Sequence, residues 1–156
     1  MARPAGLRGA LDTPLGPIWV EAQGSSLTAS GWGDADRAPS APLLVEALAQ
    51  LAAYFNGTRS TFDLPLAHGR KGLQADVLEA LRAIPQGETR TYGDLSRTLG
   101  APAQAIGQAC GANPLPILIP CHRVLSSTGL GGFSAPGGVE AKVWLLRHEG
   151  AAGLLI

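Results

Sequence analysis

Cysteine is scarce in this chain of 156 residues: only Cys110 and Cys121 occur. Two are too few for a disulfide framework, which predicts a reducing, cytoplasmic setting. Long hydrophobic runs are also missing. The densest apolar stretch, residues 115–119, is broken by Pro116 and closed by Pro120, well short of the roughly 18 residues that cross a bilayer. The opening residues have no hydrophobic region followed by a cleavage site, so secretion is not expected. No charge of one sign is in surplus. Twelve Lys/Arg balance twelve Asp/Glu, which gives no electrostatic footprint of nucleic-acid binding. Residues 1–68 hold 4 Lys/Arg against 6 Asp/Glu, and residues 69–156 hold 8 against 6, a difference too small to argue from. Zinc needs about four ligands. Cys110, Cys121 and His122 are too few, and His68 and His148 stand without ligand spacing. A Cys-x-x-Cys-His haem attachment motif is absent. Neither a metal nor another cofactor is therefore expected. Internal repeats and low-complexity segments are lacking too.

What is present suffices for a core: 46% of residues are hydrophobic and 15% charged, a balance that argues against disorder. Ile18, Val20 and Ala22 alternate with Trp19 and Glu21, the period of a half-buried strand. Gly24 and its serine neighbours turn the chain into a returning strand over 27–32. Leu44, Leu48, Leu51 and Phe55 mark one face of a helix over 42–55, stopped by Asn56-Gly57. Residues 60–66 read as extended. The polar, glycine-containing stretch 68–72 is the best boundary, dividing an N-terminal α/β domain, 1–68, from a helical C-terminal domain, 69–156. A helix over 73–84 follows, with Leu73, Val77, Ala80, Leu81 and Ile84 inward. Thr91 is placed to cap a helix over 92–99, Gly100 to turn the chain, and Pro102 to open a helix to about residue 112. Two short helices around that turn read as a helix-turn-helix or as two ordinary packed helices. Three prolines make 113–124 a stiff, extended segment. A loop with five glycines spans 126–138. The last helix, 139–148, directs Val139, Val143, Leu146 and Trp144 at the core.

The chemistry concentrates at the run Ile-Pro-Cys-His-Arg-Val, residues 119–124. Cysteine attacks as thiolate, and a free thiol ionises near pH ~8.5, so an activated Cys121 needs a base. His122 follows directly, but neighbouring side chains of an extended segment point apart. A water bridge or a turn is needed to join them. Glu149, at the end of the last helix, is available to orient the imidazole. Nucleophile, base and orienting carboxylate form an activated-nucleophile arrangement. The competing reading is a buried structural cysteine beside an unrelated histidine. A thiol hydrolase would need His68 or His148 to serve Cys121, and neither carries a supporting motif.

These residues also carry a resemblance. Asn113 through Val124 closely resembles the active-site signature of the O6-alkylguanine-DNA alkyltransferases. The similarity extends to Thr13-Pro14-Leu15-Gly16-Pro17, to 51–66, to Ile84-Pro85-Gln86-Gly87-Glu88-Thr89-Arg90-Thr91-Tyr92, and to 144–150, so it covers about residues 11–150. It implies an α+β fold: a small N-terminal α/β, ribonuclease-H-like domain and a mostly helical, winged-helix-like C-terminal domain with a helix-turn-helix. It implies repair of duplex DNA by irreversible transfer of an alkyl group to Cys121 from O6-alkylguanine, with O4-alkylthymine as a further candidate substrate, by a monomer acting once from the minor groove. No membrane and no obligatory protein partner are implied. Cys121 corresponds to the acceptor, His122 to its base acting through a water, and Glu149 to the group orienting His122. Asn113 corresponds to a brace of the active-site segment and Tyr92 to a residue that helps rotate the flipped nucleotide. Among substrate contacts, the backbone at Cys121 and Val124 corresponds to acceptors for the guanine amino group and the Ser134 amide to a donor to the alkylated oxygen. Gln104 and Arg123 complete that set.

Departures from the family pattern are local. Gln104 stands where the family usually has an arginine that fills the gap left by the flipped base, which predicts weaker DNA affinity or slower flipping. Gly111 replaces a second common basic residue. Cys110, where the family has an apolar residue, reads as a small core residue. A lesion-sensing alkyltransferase-like protein is the rival reading, although such proteins typically carry tryptophan in place of the cysteine.

Overall fold

Strands arise first where apolar residues alternate. The computed structural model describes residues 6–133 and 135–151, and the chain divides into two compact units, residues 1–69 and 70–156. In the first unit β1 (Leu7–Thr13), β2 (Gly16–Gln23) and β3 (Ser26–Trp32) form an antiparallel sheet in the order β1-β2-β3. Ile18, Val20 and Ala22 point to the buried face, as their alternation predicts. The first turn is tied by the Thr13 hydroxyl, which donates to the Gly16 carbonyl at 2.6 Å and accepts from the Leu15 amide at 3.1 Å.

Helix α1 (Pro42–Phe55) packs on β1 and β2. Its buried face is Leu44, Ala47, Leu51 and Tyr54, rotated from the expected one. Leu48 and Phe55 are half-buried, because a tyrosine ring presents more apolar area to the core than its spacing alone suggests. Gln50 is buried on the same helix and clamps the following segment, donating to the Asp63 carbonyl at 3.1 Å and accepting from the Asp63 amide at 2.9 Å. Residues 60–66 join the sheet at one bridge, Leu27 to Leu66.

The second unit contains α2 (Gly72–Arg82), β4 (Arg90–Thr91), α3 (Tyr92–Leu99), α4 (Ala103–Gly111), β5 (Val124–Leu125) and α5 (Val139–His148). Helices α2, α3 and α4 pack pairwise around Val77, Leu78, Leu81, Leu95 and Ile106. The start of α3 is fixed by a reciprocal capping box. The Thr91 hydroxyl accepts from the Asp94 amide at 3.0 Å, and the Asp94 carboxylate accepts from the Thr91 amide at 2.8 Å. Its end is fixed by Gly100 at φ 68°, a conformation that glycine adopts without steric cost. Pro102 then caps α4, and the pair forms the expected helix-turn-helix.

Two features of this second unit also differ from the sequence reading. Strands β4 and β5 pair in parallel, Arg90 with Val124 and Thr91 with Leu125, and two-residue strands carry no periodicity to read. The core face of α5 is Ala141, Lys142, Leu145 and Leu146, whereas Val139 is 44% exposed and Val143 and Trp144 are half-buried. The Trp144 ring stacks on His148 at 4.8 Å between centroids, an arrangement on the flank of the helix.

Candidate active site

Helix α4 ends at Gly111, and the chain must reverse to bring Cys121 back beside it. Asn113 organises that reversal. Its carboxamide donates to the Ile119 carbonyl at 2.9 Å and accepts from the Leu115 amide at 3.0 Å. The Ile119 amide closes the loop on the Leu115 carbonyl at 2.8 Å, and Ile117 adopts φ 73° inside it. That left-handed conformation is costly for a β-branched residue, so the surrounding bonds must hold it. The segment expected to be stiff and extended is thus a braced loop. It is followed by one 3-10 turn over Cys121–Arg123, closed by the Arg123 amide on the Pro120 carbonyl at 3.1 Å. The prolines exclude a long helix but not this turn, because Pro120 needs to supply only its carbonyl.

The turn separates three consecutive side chains. Cys121 borders a pocket of about 490 Å³ with Tyr92, Gly107, Cys110, Gly111, Gly132 and Phe133, a volume suited to a small organic group such as one nucleobase. His122 is fully buried and its Nε2 lies 2.7 Å from Glu149 Oε2. A carboxylate only accepts, which assigns the proton of the neutral ring to Nε2 and leaves Nδ1 as the basic nitrogen. Nδ1 is buried without a hydrogen-bond partner among the described residues. Arg123 closes the cluster: Nε and Nη2 donate to Glu149 at 2.8 and 3.0 Å, and Nη1 donates to the Ile84 carbonyl at 2.7 Å.

The electrostatics follow from this packing. Burial opposes the charge on Glu149, but hydrogen bonds from His122 and Arg123 outweigh it and hold the carboxyl at about 2. Burial pushes His122 down, partly offset by Glu149, so the ring is neutral and able to accept a proton at neutral pH. Burial pushes the Cys121 thiol up, opposed by the Asn113 side chain and by the Lys142 cation. Burial also raises Tyr92, with the two cysteines adding to the effect.

Tyr92, the first residue of α3, is half-buried at the pocket rim. A Cβ added at Gly131 would lie 3.3 Å from its ring, so a glycine there leaves the phenol its place. Thus Asn113, Cys121, His122, Arg123 and Glu149 come together, with Tyr92 facing the same pocket as Cys121. The reading of Arg123 as a substrate contact is corrected: its guanidinium is occupied by Glu149 and Ile84 and does not border the pocket. Val124 is buried in β5. Gln104 is exposed in the first turn of α4 and does not border the pocket. Ser134 lies outside the described residues.

Two residues were missed as site residues. Cys110 borders the pocket instead of filling the core alone, and burial raises its thiol to about 12. Lys142 is 1% exposed, its Nζ donating to the Val124 carbonyl at 2.6 Å and the Gly132 carbonyl at 3.2 Å. Its signal was available: Lys142, Leu145, Leu146 and Glu149 share one helical face at intervals of three, four and seven.

Known proteins are similar to this chain in sequence and in fold. Residues 72–151 match the family described as 6-O-methylguanine DNA methyltransferase, DNA binding domain, and residues 7–68 match its ribonuclease-like domain. The methylated-DNA--protein-cysteine methyltransferase of Mycobacterium leprae is 38% identical over 149 residues, covering 89% of each chain. The protein of that name from Salmonella typhimurium is 50% identical over 105 residues, 65% of this chain, and the match spans 60% of the Salmonella protein's length. The crystal structure of Mycobacterium tuberculosis O6-methylguanine methyltransferase superposes with a TM-score of 0.81 at 33% identity, covering 97% of this chain and 96% of that one. Mycobacterium tuberculosis OGT in complex with DNA gives 0.80 at 37% identity and 92% of each chain.

Proposed function

Because the chain belongs to the 6-O-methylguanine DNA methyltransferase family, we propose that it repairs duplex DNA by moving the alkyl group of O6-alkylguanine onto Cys121, once per molecule. The observation that carries the reading is the Cys121 turn: it sets the sulfur at a pocket wall and, in the next residue, a buried imidazole held by Glu149 at 2.7 Å. The base must leave the helix to reach that pocket, at a cost of a few kcal/mol. His122 Nδ1 takes the thiol proton, relayed by a water, while Glu149 keeps the Nε2 proton and stabilises the imidazolium. The Cys121 sulfur then attacks the alkyl carbon in line. The new S–C bond forms as the C–O6 bond breaks, and its electron pair leaves with the guanine oxygen. Hydrogen-bond donors at that oxygen stabilise the developing charge, a role assigned to the Ser134 amide. The product thioether is stable and the protein is consumed.

Tyr92 at the rim contacts the flipped nucleotide, and the backbone carbonyl of Val124 accepts from the guanine amino group with the lone pair that Lys142 leaves free. Helix α4 enters the minor groove, with Gln104 at the gap in the base stack. Residues 1–68 and 69–156 act as the N-terminal and the DNA-binding, alkyl-accepting domains. The two cysteines, unpaired and buried, suit the cytoplasm. A lesion sensor without transfer is disfavoured, because Cys121 is retained.

The test is to incubate the protein with duplex DNA carrying O6-methylguanine and map its peptides by mass. The expected result is one added methylene on the peptide holding Cys121, absent in Cys121→Ser. Tight binding without the added mass would reject transfer.

A further inference from the structure

Lys142 is buried in α5 as completely as Leu145, yet among the described residues no carboxylate pairs with it. A buried ammonium without a counter-charge is costly. Its two bonds run to Val124, directly after the Cys121 turn, and to Gly132 in the pocket wall. A Cβ added at Gly131 would come within 3.6 Å of Nζ, so the loop passes immediately over the ammonium.

The charged and titratable groups around it are few. Helix α4 offers Cys110, α3 offers Tyr92, the 3-10 turn offers Cys121, His122 and Arg123, and α5 offers Glu149. Glu149 is taken by His122 and Arg123. Cys110, at about 12, remains a neutral thiol. Cys121 is left as the group whose ionisation supplies a counter-charge.

We propose that Lys142 is a positioning residue for Cys121: its ammonium is the buried counter-charge of the thiolate, and the same group fastens Val124 and Gly132 around the sulfur. This rests on reading Cys121 as the nucleophile. It has a distinctive signature. A cation here favours the thiolate and disfavours the imidazolium of His122, so its removal moves both titrations upward. A role confined to packing moves neither in this coordinated way.

The experiment uses Lys142→Met, which keeps length and removes charge. The rate of Cys121 alkylation by iodoacetamide is followed against pH, with the modified peptide identified by mass so that Cys110 does not contribute. The His122 ring is titrated by NMR. The expected result is an upward displacement of both midpoints by about one to three pH units, with Lys142→Arg returning them toward the starting values. Unchanged midpoints in a folded Lys142→Met protein overturn the proposal, even if alkylation becomes faster at every pH because the loop has loosened. If Lys142→Met does not fold, the Lys142 ammonium is titrated by NMR in Cys121→Ser and in the unaltered protein. Linkage is reciprocal, so loss of the thiolate must lower the lysine midpoint relative to the unaltered protein; no change overturns the proposal. Because no DNA is used, a failure of DNA repair would reject the proposed function without touching these midpoints.

Discussion

The pocket side of the second unit and the exposed side of α4 are built on opposite rules. Around Cys121 the charges are buried and geometrically fixed: His122, Arg123 and Glu149 share four polar contacts of 2.7–3.0 Å with one another and with the Ile84 carbonyl. Along α4 there is no charge at all, and the exposed residues include Ala103, Gln104, Gln108 and Gly111. The buried cluster is pre-organised by folding, whereas α4 exposes small and neutral groups. Under the proposed function, attack by Cys121 is therefore the robust step, and holding a flipped base open is the weak one.

Breaking the buried cluster should have the largest effect. Glu149→Gln leaves the Arg123 charge buried without its anion, and should lower stability by about 3–5 kcal/mol, measured by urea denaturation. The same carboxylate sets an acid limit. Its folded value, about 2, lies below the ordinary 4.5, so the unfolded chain binds protons more readily. Its contribution is complete above about pH 4.5 and is lost as pH falls toward 2. Equilibrium unfolding against pH should show that acid limb, and Glu149→Gln should flatten it.

A smaller loss is expected at the loop. Gly131→Ala places a Cβ 3.3 Å from the Tyr92 ring at φ 73° and should cost about 1–2 kcal/mol, with a further decline in transfer rate as the ring is displaced. Thr91→Ala removes half of the α3 capping box and should cost about 1 kcal/mol, readable as a lower melting temperature with transfer chemistry intact. The smallest effect on folding, and the sharpest test of the contrast, is Gln104→Arg. Stability should stay within about 0.5 kcal/mol, while DNA affinity rises and its log–log dependence on salt steepens by about one. Unchanged affinity and repair rate would show that neutrality on α4 is not the weak point.

Legibility in the sequence follows the same divide. Elements with a period or a cap were readable: β2 from its alternation, α3 from Thr91 and Gly100, α4 from Pro102. The Cys121 turn was not, because a three-residue turn is decided by Asn113 reaching Ile119 and Leu115, not by local propensity. The pairing of His122 with Glu149 spans 27 residues and no spacing rule connects them; the residues alone make Glu149 available to His122, and the family resemblance assigns it that role. Lys142 is passed over in the sequence because lysine is ordinarily solvated, and its position among the apolar residues of α5 outranks that habit. The phase of α5 was wrong for the same reason.

Transfer to Cys121 is proposed to be single and stoichiometric. Its most direct test is the number of methyl groups taken up per protein molecule at long times with O6-methylguanine DNA in excess. A plateau at one is expected, with every methyl on Cys121. Uptake that stays at zero, or removal of methyl from DNA that continues beyond one per protein, would contradict it.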